Sequence, residues 1–162
     1  MNRRELVGLM GLLGANFALA QPGMRGSPIG VWTLQSCVRT FDDGHKEYPF
    51  GGKPVGRIEY DQEGRMFALL VRSGRRTTVA PGLELDAASA EEIREAVTGF
   101  VAYFGRYEVD EASQTVTHHV EASLVPSWVR TSLKRRFRWD GARVVLTRAV
   151  PGTPDELVWE RA

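Results

Sequence analysis

From Phe100 to Leu146, apolar and polar residues alternate, and turn signals interrupt the alternation at intervals. Period-two alternation marks strands with one buried face, so this stretch predicts consecutive antiparallel strands. The same pattern occurs earlier, at Val31–Thr40, Val55–Tyr60 and Arg65–Arg72, and more weakly at Thr77–Ala80. Asp42-Asp43-Gly44 and Asp61-Gln62-Glu63-Gly64 supply turns. Tyr48–Pro54 is rich in Gly and Pro and reads as a loop. Later strands are predicted at Arg106–Asp110, Thr115–Leu124, Ser132–Trp139, Arg143–Arg148 and Glu156–Arg161. One helix interrupts them, at about 89–104. Ser89 and Glu92 form its capping box. Ile93, Val97, Phe100 and Phe104 recur at helical spacing, and Gly105 is the stop. The expected fold is all-β, a closed antiparallel barrel of about 8–10 strands with one helix. A β-sandwich is the alternative. Small barrels either fill with side chains or enclose one small ligand.

Alternation also assigns faces. In the first strand Trp32, Leu34, Ser36 and Val38 share one side, and Thr33, Gln35, Cys37 and Arg39 the other. In Thr115–Leu124 the apolar side carries Val116, His118, Val120, Ala122 and Leu124. Adjacent residues point to opposite faces, so His118 is expected inside and His119 with Glu121 outside. In Ser132–Trp139 the apolar side carries Leu133, Arg135, Phe137 and Trp139; Lys134, Arg136 and Arg138 face water. Arg135 is therefore a cation on the lumen face. An unpaired buried charge is costly, so it needs a carboxylate, water or an anionic ligand group. The plainer reading is a rim arginine that reaches solvent. A histidine on such a face is more often a satisfied core residue than a catalyst, and that is the plainer reading of His118. Tyr60, Tyr103, Tyr107 and Trp128 suit packing, and also a cavity for an amphipathic molecule.

The stretch Phe100–Leu146, together with Gly30-Val31-Trp32, resembles the bacterial and fungal lipocalin-like domain family. The resemblance runs from about Gly30 to Ala162 and implies a lipocalin-like barrel. Gly30-Val31-Trp32 is similar to the G-x-W signature of the first lipocalin strand. The resemblance then implies that Trp32 closes the barrel floor, stacked with a basic residue of the last strand, for which Arg161 is the candidate. The T-D-Y-type turn of classical lipocalins is absent, which places the chain with the lipocalin-like proteins instead. Trp32 and Arg161 are structural candidates, not ligand residues.

The first residues read as a leader. Arg3-Arg4 precede an apolar run, Leu6–Ala20, that contains Gly8, Gly11 and Gly14. Ala18-Leu19-Ala20 before Gln21 fits a small-x-small cleavage site. The run is short for a bilayer span, which needs about 20 residues. The paired arginines point to twin-arginine export, with Sec export the alternative because Asn2 replaces the usual Ser or Thr. The expected organisation is 1–20 signal peptide, 21–29 linker and 30–162 barrel. The expected location is periplasmic or secreted, with no membrane anchor after cleavage.

The formal charge of +1 gives no general pull toward nucleic acid. Cys37 is the one cysteine, so an intramolecular disulfide and a thiolate zinc site are both excluded. There is no G-x-S-x-G elbow, phosphate-binding glycine loop or H-E-x-x-H. His119 and Glu121 could ligate a metal, but His45 is the one remaining histidine, so no metal and no cofactor are expected. Ser123, His119 and Glu121 are spaced about 7 Å apart along the strand, too far for a relay.

Three functions follow. The favoured one is an exported protein that binds a small apolar or amphipathic molecule, anionic ones included, in the lumen, through Tyr60, Tyr103, Tyr107, His118, Trp128 and Arg135. The second is a small-barrel isomerase, cyclase or hydratase acting on a lipid-like or polyketide-like substrate. There His118 moves a proton and Arg135 holds an enolate or carboxylate. The third is an envelope interaction module with a filled barrel.

The leader reading predicts that N-terminal sequencing of mature protein starts at Gln21. Replacing Arg3-Arg4 by Lys-Lys should trap precursor if the twin-arginine route is used. Cytoplasmic protein that retains Met1 would contradict export.

Overall fold

The computed structural model describes residues 27–75, 88–149 and 155–162. The leader at 1–20, the linker up to residue 26 and the weak strand at 77–80 lie outside the described residues. The strands are β1 (Gly30–Thr40), β2 (Lys46–Glu47), β3 (Val55–Tyr60), β4 (Arg65–Val71), β5 (Phe100–Asp110), β6 (Thr115–Ser123), β7 (Ser132–Asp140), β8 (Arg143–Arg148) and β9 (Asp155–Arg161). One helix, α1 (Ala90–Val97), precedes β5, and a short 3-10 turn (Pro126–Trp128) joins β6 to β7. The sheet order is β2-β1-β3-β4-β5-β6-β7-β8-β9, and β1 also pairs with β9. That last pairing closes eight strands into an antiparallel barrel, with two-residue β2 hung on the end of β1.

α1 begins as its capping box dictates. Ser89 Oγ accepts from the Glu92 N–H at 3.3 Å, and the Glu92 carboxylate accepts from the Ser89 N–H at 2.8 Å. It ends much earlier than the spacing predicts. Thr98 is already extended, and Phe100–Phe104 form the start of β5, paired with β4 from Val71↔Phe100 to Phe67↔Phe104. Phe100 and Phe104 are four residues apart, an interval that fits a strand face as well as a helix face. The β-branched and aromatic content of this stretch, together with an open β4 edge, decides for the strand.

Two bulges change the predicted faces. Along β1–β9, Leu34 pairs with Trp159 and Ser36 with Val158, so Gln35 has no partner on β9. An inserted residue reverses the alternation beyond it. Ser36 and Val38 therefore turn outward with Val158 and Glu156, whereas Cys37 turns inward opposite Leu157 and is buried. Along β5–β6, Phe104 pairs with Ala122 but Gly105 pairs with Val120, which leaves Glu121 out of the ladder. Ala122 consequently shares the outer face with exposed Phe104, and Leu124 is exposed too. A Cβ on Gly105 would stand 2.0 Å from the His119 carbonyl oxygen, so this bulge requires glycine. β7 keeps the predicted alternation. Phe137 is buried, and Lys134, Arg136 and Arg138 are exposed.

The end of the barrel where β1 starts is filled. Trp32 and Trp139 have ring centroids 5.8 Å apart, and Phe137 meets Trp139 edge-on at 6.4 Å. The Trp32 Nε1–H donates to the Pro28 carbonyl at 2.7 Å. The Arg161 guanidinium lies 4.4 Å from the Trp32 ring centroid and donates to the Ile29 carbonyl at 3.1 Å. Gly30 belongs to the same device: its φ is +130°, and an added Cβ would meet Arg161 Nη1 at 2.5 Å.

The bulge at Gln35 makes a direct prediction. Burial, reinforced by the Asp155 charge, pushes the Cys37 thiol up to about 12. At pH 8 the native protein should leave Cys37 unlabelled by an aromatic disulfide reagent, and guanidinium should expose it fully. Prompt native labelling would mean that alternation runs unbroken through β1.

Candidate functional site

The opposite half of the barrel is open. A cavity of about 130 Å³ lies there, walled by Ile58, Ala68, Leu70, Leu146, Leu157 and Trp159. Phe50 from the β2–β3 loop and Trp128 from the 3-10 turn also line it, as do Tyr103, His118, Arg135, Arg148, Cys37 and Asp155. The apolar wall follows from inward positions on β3, β4, β8 and β9. The polar groups come from β5, β6 and β7 and from the mouth ends of β8 and β9.

His118 is 1% exposed and sits between two phenols. Tyr60 Oη is 2.8 Å from Nε2, and Tyr103 Oη is 2.9 Å from Nδ1. Hydrogen-bond accounting assigns the protons. Tyr60 is 2% exposed, does not line the cavity, and has His118 as its hydroxyl's partner among the described residues. If Tyr60 only accepted, its own proton would be buried without an acceptor. Tyr60 therefore donates to Nε2, and the imidazole carries its proton on Nδ1, which donates to Tyr103 Oη. The Tyr103 proton is left over, on a residue that lines the cavity.

Burial, with smaller contributions from the charge on Arg135 and from His119, pushes His118 down to about 3. The imidazole is neutral at any ordinary pH. Burial also raises both phenols, Tyr103 to about 12 and Tyr60 well above its usual value. The His118–tyrosine unit is thus an uncharged hydrogen-bonding wall.

The other candidates separate. Trp128 packs edge-on against Tyr103, with centroids 5.8 Å apart, and shares the cavity. Arg135 is half-buried and lines the same cavity; its Nη1–H donates to the Lys134 carbonyl at 3.2 Å. Tyr107 does not reach the cavity. It packs edge-on against Tyr60 at 4.8 Å and donates to the Asp61 carbonyl at 2.7 Å. Trp32 and Arg161 stay at the floor. His119 is on the outer face, 3.0 Å from Ser132 Oγ and 3.5 Å from Glu108. The Glu108 side chain is 80% exposed, so water screens that arrangement. Among the described residues no cluster of three metal-ligating side chains occurs.

Arg148, Asp155 and Cys37 are cavity residues that alternation did not single out. Arg148 was legible, because it shares parity with Val144 and Leu146 on β8. Cys37 was hidden by the Gln35 bulge. Asp155 was missed because it belongs to a strand predicted to start one residue later.

The model of the lipocalin-like domain family fits residues 29–162. No curated protein matches the chain.

The sealed imidazole should make the fold acid-sensitive. In the unfolded chain His118 titrates near 6.5; in the fold it titrates near 3. Below pH 6.5 the unfolded state binds the extra proton, so stability is full above that pH and falls as the pH drops toward 3. Between pH 8 and pH 5 His118 should account for a loss of about 2 kcal/mol. Urea unfolding of wild type and His118→Gln at the two pH values should differ in their pH dependence by that amount. Equal slopes would show that His118 is not sealed.

Proposed function

The chain belongs to the lipocalin-like domain family, and on that premise we propose that its barrel binds a small amphipathic molecule in the open half of the lumen. The observation that carries this reading is the composition of the cavity: an apolar wall, one unspent phenol proton at Tyr103, and a guanidinium at Arg135. Binding sites of this kind combine apolar walls with a few convergent polar groups. The size limits the occupant. A cavity of about 130 Å³ is close to one that encloses a benzene-sized group. It is smaller than the pockets of several hundred cubic ångströms, roughly 300–1,000 Å³, that take drug-sized ligands. A larger molecule would protrude past Phe50 and Trp128.

The geometry suits recognition better than proton transfer. An isomerase, cyclase or hydratase needs a base near the working pH. His118 is a weak base here, and both its nitrogens are engaged by tyrosines. A filled barrel acting as an interaction module would account for the packed floor but not for the open half. The leader-like Met1–Ala20 supports a periplasmic or extracellular setting for the proposed binding.

Native mass spectrometry of the full chain from its own host, with Ala68→Phe beside wild type, tests the reading. Ala68 is 2% exposed and lies on the cavity wall, so phenylalanine there would occupy the space. Added bulk in a core costs about 1–3 kcal/mol, so circular dichroism should first establish that the variant is folded. Wild type should retain a small-molecule adduct that folded Ala68→Phe lacks. Wild type without an adduct, or the same adduct on both proteins, would count against lumen binding.

A further inference from the structure

We propose that Arg135 and Arg148 form an oxyanion clamp at the mouth of the lumen, and that the ligand is a small molecule with a carboxylate or phosphate head on an apolar body of about one ring. This deepens the lumen-binding reading and rests on it.

Arg135 on β7 and Arg148 on β8 are direct cross-strand partners. Both line the cavity. Like charges placed directly opposite each other in a sheet repel and destabilise it. The usual remedy is a carboxylate between them, and neither arginine has an ion-pair partner among the described residues. One carboxylate does line the cavity, that of Asp155, but it is committed elsewhere. Arg39 holds both its oxygens, Nε to Oδ1 at 2.7 Å and Nη2 to Oδ2 at 3.1 Å. The other acids on β9 pair outward: Glu156 lies 3.6 Å from Arg138, and Glu160 lies 3.7 Å from Arg143.

The mouth thus concentrates positive charge beside an apolar wall. Guanidinium groups suit an oxyanion because each can give two parallel N–H bonds to one head group. One Nη1–H of Arg135 is used by the Lys134 carbonyl; the remaining donors of both arginines have no acceptor among the described residues. A ligand head between them would supply the missing negative charge. Its body would point down toward Ile58, Ala68, Leu146 and Trp159, past Tyr103 on the same wall.

The test is calorimetric titration of the full chain at low salt with benzoate, phenyl phosphate and benzyl alcohol, which share one ring and differ in head group. At least one anion should bind roughly tenfold or more tighter than benzyl alcohol. The tighter of the two anions identifies the head. The preference should shrink to about twofold or less in Arg148→Ala and Arg135→Ala, and Arg148→Lys should keep part of it. Arg148 is exposed, so its replacement should leave the fold intact. Without any probe, Arg148→Ala should raise the urea midpoint at low salt by relieving the repulsion, and high salt should erase the gain. Benzyl alcohol binding as tightly as both anions, with sensitivity to Ala68→Phe, would overturn the clamp and leave the lumen reading standing. Failure of all three probes would overturn both. An unchanged or lowered midpoint for Arg148→Ala would also count against opposed arginines.

Discussion

Everything in this barrel depends on the seam where its first strand meets its last. β1 is hydrogen-bonded to β3 on one side and to β9 on the other, and only the second pairing turns a curled sheet into a closed ring. The seam is fastened at both ends by arginine. At the floor, Arg161 from β9 lies over the Trp32 ring of β1. At the mouth, Arg39 of β1 grips both oxygens of Asp155 on β9. Between these ends the ladder must absorb one extra residue, Gln35. That bulge is what turns Cys37 into the lumen and brings Arg39 into line with Asp155. Closure therefore also decides the electrostatics of the mouth. By consuming the Asp155 carboxylate, the seam leaves Arg135 and Arg148 without it.

The lumen divides by side-chain size. Toward the floor, Trp32, Trp139, Phe137 and Tyr60 interlock, and the Trp32–Arg161 stack seals the end. Toward the mouth, Ala68, Leu70, Val101 and Leu157 leave space. His118 sits at the boundary between the two regimes. A buried imidazole must satisfy two nitrogens, and tyrosines from β3 and β5 do so. Tyr60 belongs to the packed floor and Tyr103 to the cavity wall. The same hydrogen-bonded chain that anchors the core thereby ends on a residue of the cavity wall.

The strand pattern was legible wherever alternation ran unbroken. β3, β7 and β8 fall where period two placed them, to within a residue. It failed at the places where local geometry departs from regularity. A bulge gives no reliable signal in one sequence, since Gln35 and Glu121 look like any polar strand residue. The interval between Phe100 and Phe104 satisfies helix and strand alike, and pairing with β4 decides it. At the site, alternation put His118 and Arg135 on the lumen face, and Tyr103 and Trp128 were added for their aromatic chemistry alone; all four line one cavity. Tyr60 and Tyr107 lie behind that wall because a tyrosine's reach across the barrel is a matter of packing, which alternation does not encode. Arg148 followed the same parity rule as Arg135 and was within reach of the sequence.

Arg135 also bears on what a bound anion would do to His118. Its positive charge is one reason the imidazole resists protonation, so an anion held at Arg135 would offset that term and make His118 more basic. Burial is the larger cause, however, and a ligand that fills the cavity removes water and strengthens it. The two effects oppose each other. The imidazole also stays bracketed by Tyr60 and Tyr103, so a proton arriving there would have to displace the Tyr60 hydrogen bond to Nε2. A site built to move protons leaves one nitrogen open to its substrate. This one closes both and offers a phenol and two guanidinium groups instead, which is the equipment of a binding site.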